Sequence, residues 1–296
     1  MSIRPVPKRS LLIISAMNDA NDLRDGEPQL IDVLHLGNPR VIGAWRVGDV
    51  LIDPGPSSSL ATLLPCLDAE PPRAIALTHI HLDHAGAAGT LAKHYPEAEV
   101  WVHERGAPHL IDPAKLLASA GRLYGEHMER LWGEFLAVPA ERIRVLRGGE
   151  QLGAFRVAYT PGHASHHVSY MHEPSGIAFT GDVAGVRIGS GRVLAPTPPP
   201  DIDLDAWRAS LATIEAWQPR RLAVTHFGAH DEVAAHIAAL REHLDEVEAW
   251  AAEGDEASFV ARMRERVAGD AAYSHALPPE QSYHGLARYL SKRAAA

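Results

Sequence analysis

The stretch Thr78-His79-Ile80-His81-Leu82-Asp83-His84 decides how this chain is read. It closes a short, mostly apolar run, Arg73-Ala74-Ile75-Ala76-Leu77-Thr78, that reads as a buried strand. A lone histidine is commonly a surface or satisfied core residue. Three histidines and an aspartate within six positions, after a buried strand and before Gly86, are hard to explain structurally, because buried polar groups must all find partners. Imidazole nitrogen and carboxylate oxygen suit Zn²⁺, and also iron or manganese. On extended backbone His79 and His81 can bind one ion, while the turn after them lets Asp83 and His84 face a second.

Three further clusters extend the pattern: Pro161-Gly162-His163, Gly181-Asp182 and Thr225-His226. Each follows a short apolar run of strand type, at Phe155–Thr160, Ile177–Thr180 and Leu222–Thr225. Ligands on loops at strand ends, held by a rigid sheet, are where α/β sites are built. The clusters together hold five histidines and two aspartates. That is more than one four-coordinate ion can use and about what two adjacent ions need.

The rest of the chain reads as alternating strands and helices. Val41–Val47 and Val50–Asp53 form a hairpin around Gly48-Asp49, and the serines from Ser57 cap a helix through Leu67. A helix runs from Ala85 to His94 and a strand over Glu99–His103. Residues 105–137 read as largely helical, with breaks near Gly121 and Gly133. Strands resume at Ile143–Leu146, Val168–Met171 and Arg221–Thr225, and helices cover Asp205–Trp217 and residues 231–252. The run Pro196-Thr197-Pro198-Pro199-Pro200 can be neither helix nor central strand and reads as a rigid connection, with a pocket wall as the alternative. Helical pieces near 257–267 and 282–292 follow. No internal repeat or low-complexity tract interrupts the chain.

Length and composition bound the function. With 296 residues the chain can bury a large core, and 46% hydrophobic against 22% charged residues is an ordinary globular balance. A formal charge of −9 argues against nucleic acid, whose recognition needs clustered Lys and Arg. Cys66 is the only cysteine, which excludes an intrachain disulfide and a thiolate-rich metal cage and fits a reducing cytoplasm. No run approaches the roughly 20 apolar residues of a membrane helix. The basic residues Arg4, Lys8 and Arg9 precede Leu11-Leu12-Ile13-Ile14, an apolar run too short for a signal-peptide core.

The motifs, in their order, resemble those of the metallo-β-lactamase superfamily of hydrolases. Leu51-Ile52-Asp53-Pro54-Gly55 is similar to its first motif, Thr78–His84 to its second and Pro161-Gly162-His163 to its third. Thr180-Gly181-Asp182 is similar to the fourth and Thr225-His226 to the fifth, so the resemblance spans roughly residues 32–245. It implies an α/β fold, a four-layer αββα sandwich, with a short helical C-terminal extension. The expected division is a leader over 1–29, a hydrolase domain over 30–252 and the extension over 253–296.

The resemblance implies that His79, His81 and His163 hold a first metal and Asp83, His84 and His226 a second, with Asp182 bridging both. Asp53 would orient a ligand rather than touch metal, with a turn-forming role as its plain alternative. The expected cofactors are two divalent ions, zinc first and iron or manganese next. Such a pair acidifies a shared water to a bridging hydroxide, and Asp83 could transfer a proton to the leaving group. The expected activity is hydrolysis of a small ester-like bond in a thioester, lactone or phosphoester. The expected partner is a small molecule, with a homodimer possible and neither nucleic acid nor membrane involved. The alternative is an oxidoreductase resembling the persulfide dioxygenases, with one iron on His79, His81, His163 and Asp182.

Departures from particular branches narrow the field. Asp182 stands where the antibiotic-hydrolysing members place Cys or Ser, which disfavours β-lactams. Residues 231–260 carry more Glu and Asp than Arg, unlike the basic glutathione-binding region of glyoxalase II-like enzymes. Val183-Ala184-Gly185-Val186 replaces the tyrosine that follows the bridging aspartate in quorum-quenching lactonases. Other side chains are weighed individually. One of His166 and His167 is placed over the site, with surface exposure as the competing reading. His103, His109 and Asp112 are weak candidates for substrate contact, and Tyr124, Met128 and Trp132 are assigned to helix packing. His230 is read as a surface or supporting group.

Overall fold

The computed structural model describes residues 23–295, so the basic and apolar N-terminal run lies outside the described residues. Among the described residues twelve strands form two six-stranded sheets. The first contains β1 (Gln29–Asp32), β2 (Gly43–Val47), β3 (Val50–Ile52), β4 (Ala74–Ala76), β5 (Glu99–His103) and β6 (Ile143–Leu146), side by side in chain order. The second contains β7 (Gln151–Leu152), β8 (Phe155–Tyr159), β9 (Val168–His172), β10 (Ile177–Phe179), β11 (Arg221–Val224) and β12 (Gly228–His230), also in chain order. β3 to β6 pair in parallel, as do β10 and β11, and the remaining neighbours are antiparallel.

Strand periodicity decides the layers. Val50, Ile52, Ala74, Ala76 and Trp101 of the first sheet share one apolar cluster with Phe155, Val157, Tyr170, Phe179 and Ala223 of the second. The alternating residues Leu51, Ile75, Val100 and Val102, and on the other sheet Ala178, Leu222 and Val224, face helices in a second cluster. A side-chain period of two therefore buries both faces of each sheet, which is why these strands read as unbroken apolar runs. The result is the expected αββα sandwich.

Eleven helices are described. α1 (Leu60–Leu63), α2 (Leu82–Ala85), α3 (Ala88–His94), α4 (Ala107–Ile111), α5 (Ala114–Tyr124) and α6 (Met128–Trp132) belong to the first half. α7 (Leu204–Ala216), α8 (Val233–Ala252), α9 (Glu256–Val267), α10 (Ala271–Ala276) and α11 (Pro279–Ala294) belong to the second. Asp203 caps α7 through the Ala206 N–H at 3.0 Å, and Asp255 caps α9. Phe259, Met263 and Leu286 of α9 and α11 join the same apolar cluster as Ile237 and Leu244 of α8. The C-terminal helices are thus packed into the body of the molecule.

Several sequence expectations need local correction. The helix read from Ser57 to Leu67 is one α-turn flanked by 3₁₀ turns, with Pro65 inside it. The Ala85–His94 helix is two pieces, α2 and α3. The break placed near Gly121 falls at Gly125 instead, where φ is +53°, while Gly121 continues α5. β1, β7 and β12 were not anticipated, and each is an edge or next to one.

Candidate metal centre

All four motif clusters meet at one end of the sandwich, where β3, β4, β8, β10 and β11 terminate. Backbone hydrogen bonds stitch the sheets together there: Val168 N–H donates to Thr78 O at 2.8 Å and Gly43 N–H to Thr225 O at 2.9 Å. Tyr170 Oη donates to Leu77 O at 2.8 Å. The loops that carry the histidines are therefore anchored from both sides.

The seven candidate ligands converge in two overlapping sets. His79 Nε2 and His163 Nε2 each lie 3.0 Å from His81 Nδ1, and His163 Nε2 lies 3.4 Å from Asp182 Oδ2. On the other side His84 Nε2 lies 3.4 Å from Asp182 Oδ1, and His226 Nε2 lies 3.6 Å from the same oxygen. His226 Nε2 is also 3.3 Å from Asp83 Oδ2. Metal–nitrogen arms of about 2.0–2.1 Å give a tetrahedral edge of roughly 3.3 Å. The separations between the ligand atoms match that edge.

Buried atoms without partners give an independent test of fit. His84 Nε2, His226 Nε2 and Asp182 Oδ1 are inaccessible and make no hydrogen bond among the described residues. Leaving three such atoms unsatisfied is costly in a folded protein. A cation among them would satisfy all three. The donor set, imidazole and carboxylate with no thiolate, fits zinc, iron or manganese.

The outer nitrogens are held so that the inner ones face the centre. His163 Nδ1 donates to Pro196 O at 2.9 Å and His226 Nδ1 to Val41 O at 2.6 Å. His84 Nδ1 donates to Asp53 Oδ2 at 2.8 Å. Such bonds choose the tautomer and ring orientation of a ligating histidine. Asp53 also accepts from Thr78 N at 2.8 Å, Thr78 Oγ1 at 2.7 Å and Thr225 Oγ1 at 3.0 Å. It adopts φ +47°, a left-handed conformation that aspartate tolerates better than most residues. Gly181 has φ +46°, and a Cβ there would fall on Thr78 Oγ1, so the turn presenting Asp182 requires glycine.

Charge is divided across the centre. Burial, reinforced by neighbouring His84, His81 and His163, holds His79 well below the ordinary imidazole range. Burial and His163 push His81 down to about 4. Both are therefore neutral, the form that ligates. Burial disfavours the charged form of His84 too, but Asp182, Asp83 and Asp53 outweigh it and hold its proton well above the usual range. Burial would raise the Asp182 carboxyl, yet His84, His226 and His163 keep it far below the normal value. The partly buried Asp83 is likewise lowered against burial by His84 and His226.

A cavity of about 390 Å³ opens on His81, Asp83 and Asp182. Three sequence assignments change here. Tyr124 and Trp132 line this cavity, whereas Met128 does not, and Pro196 and Pro198–Pro200 form a wall rather than a mere connection. His103, His109 and Asp112 do not line it; His103 is buried and stacks on Tyr159 at 4.3 Å. His166 and His167 are both buried beside the cluster, with His167 stacked on His79 at 5.1 Å and His166 Nδ1 accepting from Ile80 N–H at 3.4 Å. His230 is buried on β12 against His236, not on the surface. Sequence reasoning missed His35, a lining residue 4% exposed, because a single histidine after an unrecognised edge strand carries no local signal.

Comparison with known proteins agrees with this geometry. The family model described as metallo-beta-lactamase superfamily matches residues 48–230. The metallo-beta-lactamase fold-containing protein ST1585 of Sulfurisphaera tokodaii is 33% identical over 188 residues, covering 60% of this chain and 68% of that protein. Its crystal structure superposes with a TM-score of 0.63 at 26% identity, covering 76% of this chain and 87% of that one. A hydroxyacylglutathione hydrolase of Salmonella typhi is 31% identical over 155 residues, which is 50% of this chain and 47% of that protein. The chain thus spans only about half the length of that hydrolase. The structure of TTHA1623, in a di-iron-bound form, matches with a TM-score of 0.52 at 26% identity over 74% of this chain and 95% of that one. With the family model covering more than half its length, five motifs in order and an αββα frame around them, the chain belongs to the metallo-beta-lactamase superfamily.

Proposed function

We propose that the protein is a dinuclear metal-dependent hydrolase that cleaves a small ester-like bond. One observation carries the reading: Asp182 presents one carboxylate oxygen to each half of the ligand cluster, Oδ2 toward His163 and Oδ1 toward His84 and His226. His79, His81 and His163 with Asp182 Oδ2 would hold one ion; Asp83, His84 and His226 with Asp182 Oδ1 would hold the other. Two divalent cations held there would supply an acidified water near neutral pH and a Lewis acid for the electrophile's oxygen.

The chain's own groups do the rest. Asp53, Pro196 O and Val41 O hold His84, His163 and His226 in ligating orientation. The Asp83 side chain, 24% exposed and on the cavity, is held as a carboxylate and would serve as a base that takes a proton from water and relays it to a leaving group. The cavity walls orient the small-molecule substrate and keep bulk water from the bond being broken. Similarity to proteins named hydroxyacylglutathione hydrolase supports a hydrolase and keeps thioesters among the candidates. Ligand chemistry favours zinc, and the di-iron-bound TTHA1623 supports iron as the second candidate.

A mononuclear iron oxidoreductase would leave Asp83, His84 and His226 converging on nothing. Metal analysis after reconstitution decides between the two. Two ions per chain, with p-nitrophenyl ester hydrolysis lost in Asp182→Ala, is the expected result. One iron per chain, oxygen uptake and no hydrolysis would overturn it.

A further inference from the structure

We infer that the cavity selects neutral substrates with an apolar acyl chain, in carboxylic ester, thioester or lactone linkage, over phosphoesters and glutathione conjugates. This rests on the hydrolytic reading above and adds the substrate class. Three observations converge on it.

The first is the character of the walls. Beyond the candidate ligands, Leu116, Leu123, Leu131, Trp132 and Leu277 face the space, together with the proline run. Among the described residues no lysine or arginine lines it, and its only carboxylates are Asp83 and Asp182. A phosphate or a peptide-like carboxylate tail bound away from the metals would therefore lack a fixed cation. Apolar chains need none.

The second is a pair of unpaired neutral groups. His35 and Trp132 stack with ring centroids 5.5 Å apart and planes 12° apart, and both line the cavity. Among the described residues neither His35 Nδ1 nor Trp132 Nε1 has a hydrogen-bond partner, although both atoms are buried. Buried donors and acceptors in native proteins are nearly always paired. Both nitrogens lie beneath the cavity surface, so the stacked rings present uncharged wall to a substrate and offer an anion no exposed cation.

The third is where the walls come from. His35 precedes residue 48, and Ser274, Leu277 and Gln281 follow residue 230, so they lie outside the family-matched stretch. Tyr124 Oη reaches Gln281 Oε1 at 3.5 Å, tying α5 to the start of α11 across the cavity. Residues of the C-terminal helices thus form part of the cavity wall. At about 390 Å³ it falls in the range of small-molecule pockets, so it takes an acyl chain of limited length.

The test uses metal-loaded full-length protein with p-nitrophenyl acetate, hexanoate and decanoate, bis-p-nitrophenyl phosphate and a glutathione thioester. Assays at pH 8.5, where imidazoles are ordinarily uncharged, keep histidines from serving as cations. Each buried methylene is worth roughly a factor of four. The expected result is at least a tenfold rise in kcat/KM from acetate to hexanoate, with both anionic substrates at least tenfold below hexanoate. Ala120→Phe, which fills the cavity from α5, should lower hexanoate at least tenfold and leave acetate within threefold. If that variant does not fold, Leu123→Trp at a half-buried lining position makes the same test. Binding of the uncleavable ketone 2-octanone, followed by tryptophan fluorescence, should weaken at least tenfold in the same variant. Ester hydrolysis with no chain-length dependence, or with the anionic substrates as fast, overturns this inference and leaves the hydrolytic reading standing. Ketone binding that Ala120→Phe abolishes, with no hydrolysis of anything, does the reverse. Ketone binding unaffected by either variant overturns the assignment of the cavity.

Discussion

His84 Nδ1 donates to Asp53 Oδ2 at 2.8 Å, with both side chains essentially inaccessible to solvent. The same carboxylate accepts from Thr78 and Thr225, so a residue on the β3–α1 connection fixes elements of both sheets. Asp53→Ala leaves one backbone N–H, two hydroxyls and an imidazole without their acceptor. It should cost about 3–5 kcal/mol in a urea melt of the metal-free protein, as expected when one partner of a buried charged pair is removed. Asp53→Asn keeps the shape and should instead weaken metal binding roughly 10–100-fold, read by chelator competition. Wild-type metal affinity in Asp53→Asn would show that Asp53 is only a turn residue.

Gly181→Ala tests the turn before Asp182. With φ at +46° and a Cβ falling on Thr78 Oγ1, the substitution should cost on the order of 1–3 kcal/mol and disturb the carboxylate beside it. The denaturation midpoint and the metal stoichiometry should both fall. An unchanged midpoint would mean the backbone can relax there.

Metal removal should loosen the whole sandwich end. His84 Nε2, His226 Nε2 and Asp182 Oδ1 make no hydrogen bond among the described residues, so a bound ion adds its binding free energy to folding. At a free ion concentration 100 times Kd the gain is about 2.7 kcal/mol per site. Differential scanning fluorimetry should show Tm falling by about 5 °C or more with a chelator and recovering with zinc. No shift on adding zinc, iron or manganese would argue against a metal centre.

Acid stability should report two buried histidines outside the ligand set. Ala195 N–H donates to His243 Nδ1 at 2.9 Å, and burial with nearby Arg266 pushes that imidazole down to about 3. His236 Nε2 bonds Ala184 O at 2.8 Å, and burial pushes it down to about 4. Below the ordinary imidazole value of about 6.5 the unfolded chain takes protons that the folded chain refuses. Stability contributed by these groups is full above pH 7 and falls as pH drops from about 6.5 toward 4. Each contributes up to about 1.4 kcal/mol per pH unit. Urea midpoints at pH 7 and 4.5 should differ less in His243→Gln than in wild type. An equal difference would show that His243 does not govern it.

Much of the layout was legible because strands buried on both faces are apolar throughout. Runs such as Ala74–Thr78 and Leu222–Thr225 announce themselves, as do polar clusters at their ends. Three of the four edge strands, β1, β7 and β12, carry too weak a signal to be read from sequence. β12, Gly228-Ala229-His230, has too few apolar residues to register, and β1 begins at Gln29, within the segment read as a leader. Helix breaks were misplaced for a related reason: Gly121 and Gly125 look alike in sequence, and only the backbone conformation tells which one ends α5.

From the sequence alone came the donor types, their order and their attachment to strand ends, since these follow from side-chain chemistry and local periodicity. Tertiary structure alone decided which oxygen of Asp182 faces which histidines, that Asp53 serves His84, and that His35, Trp132 and the C-terminal helices enclose the cavity. Those contacts join residues far apart in the chain. Only the stacking of two twisted sheets, which buries both their faces, fixes such distances to within an ångström.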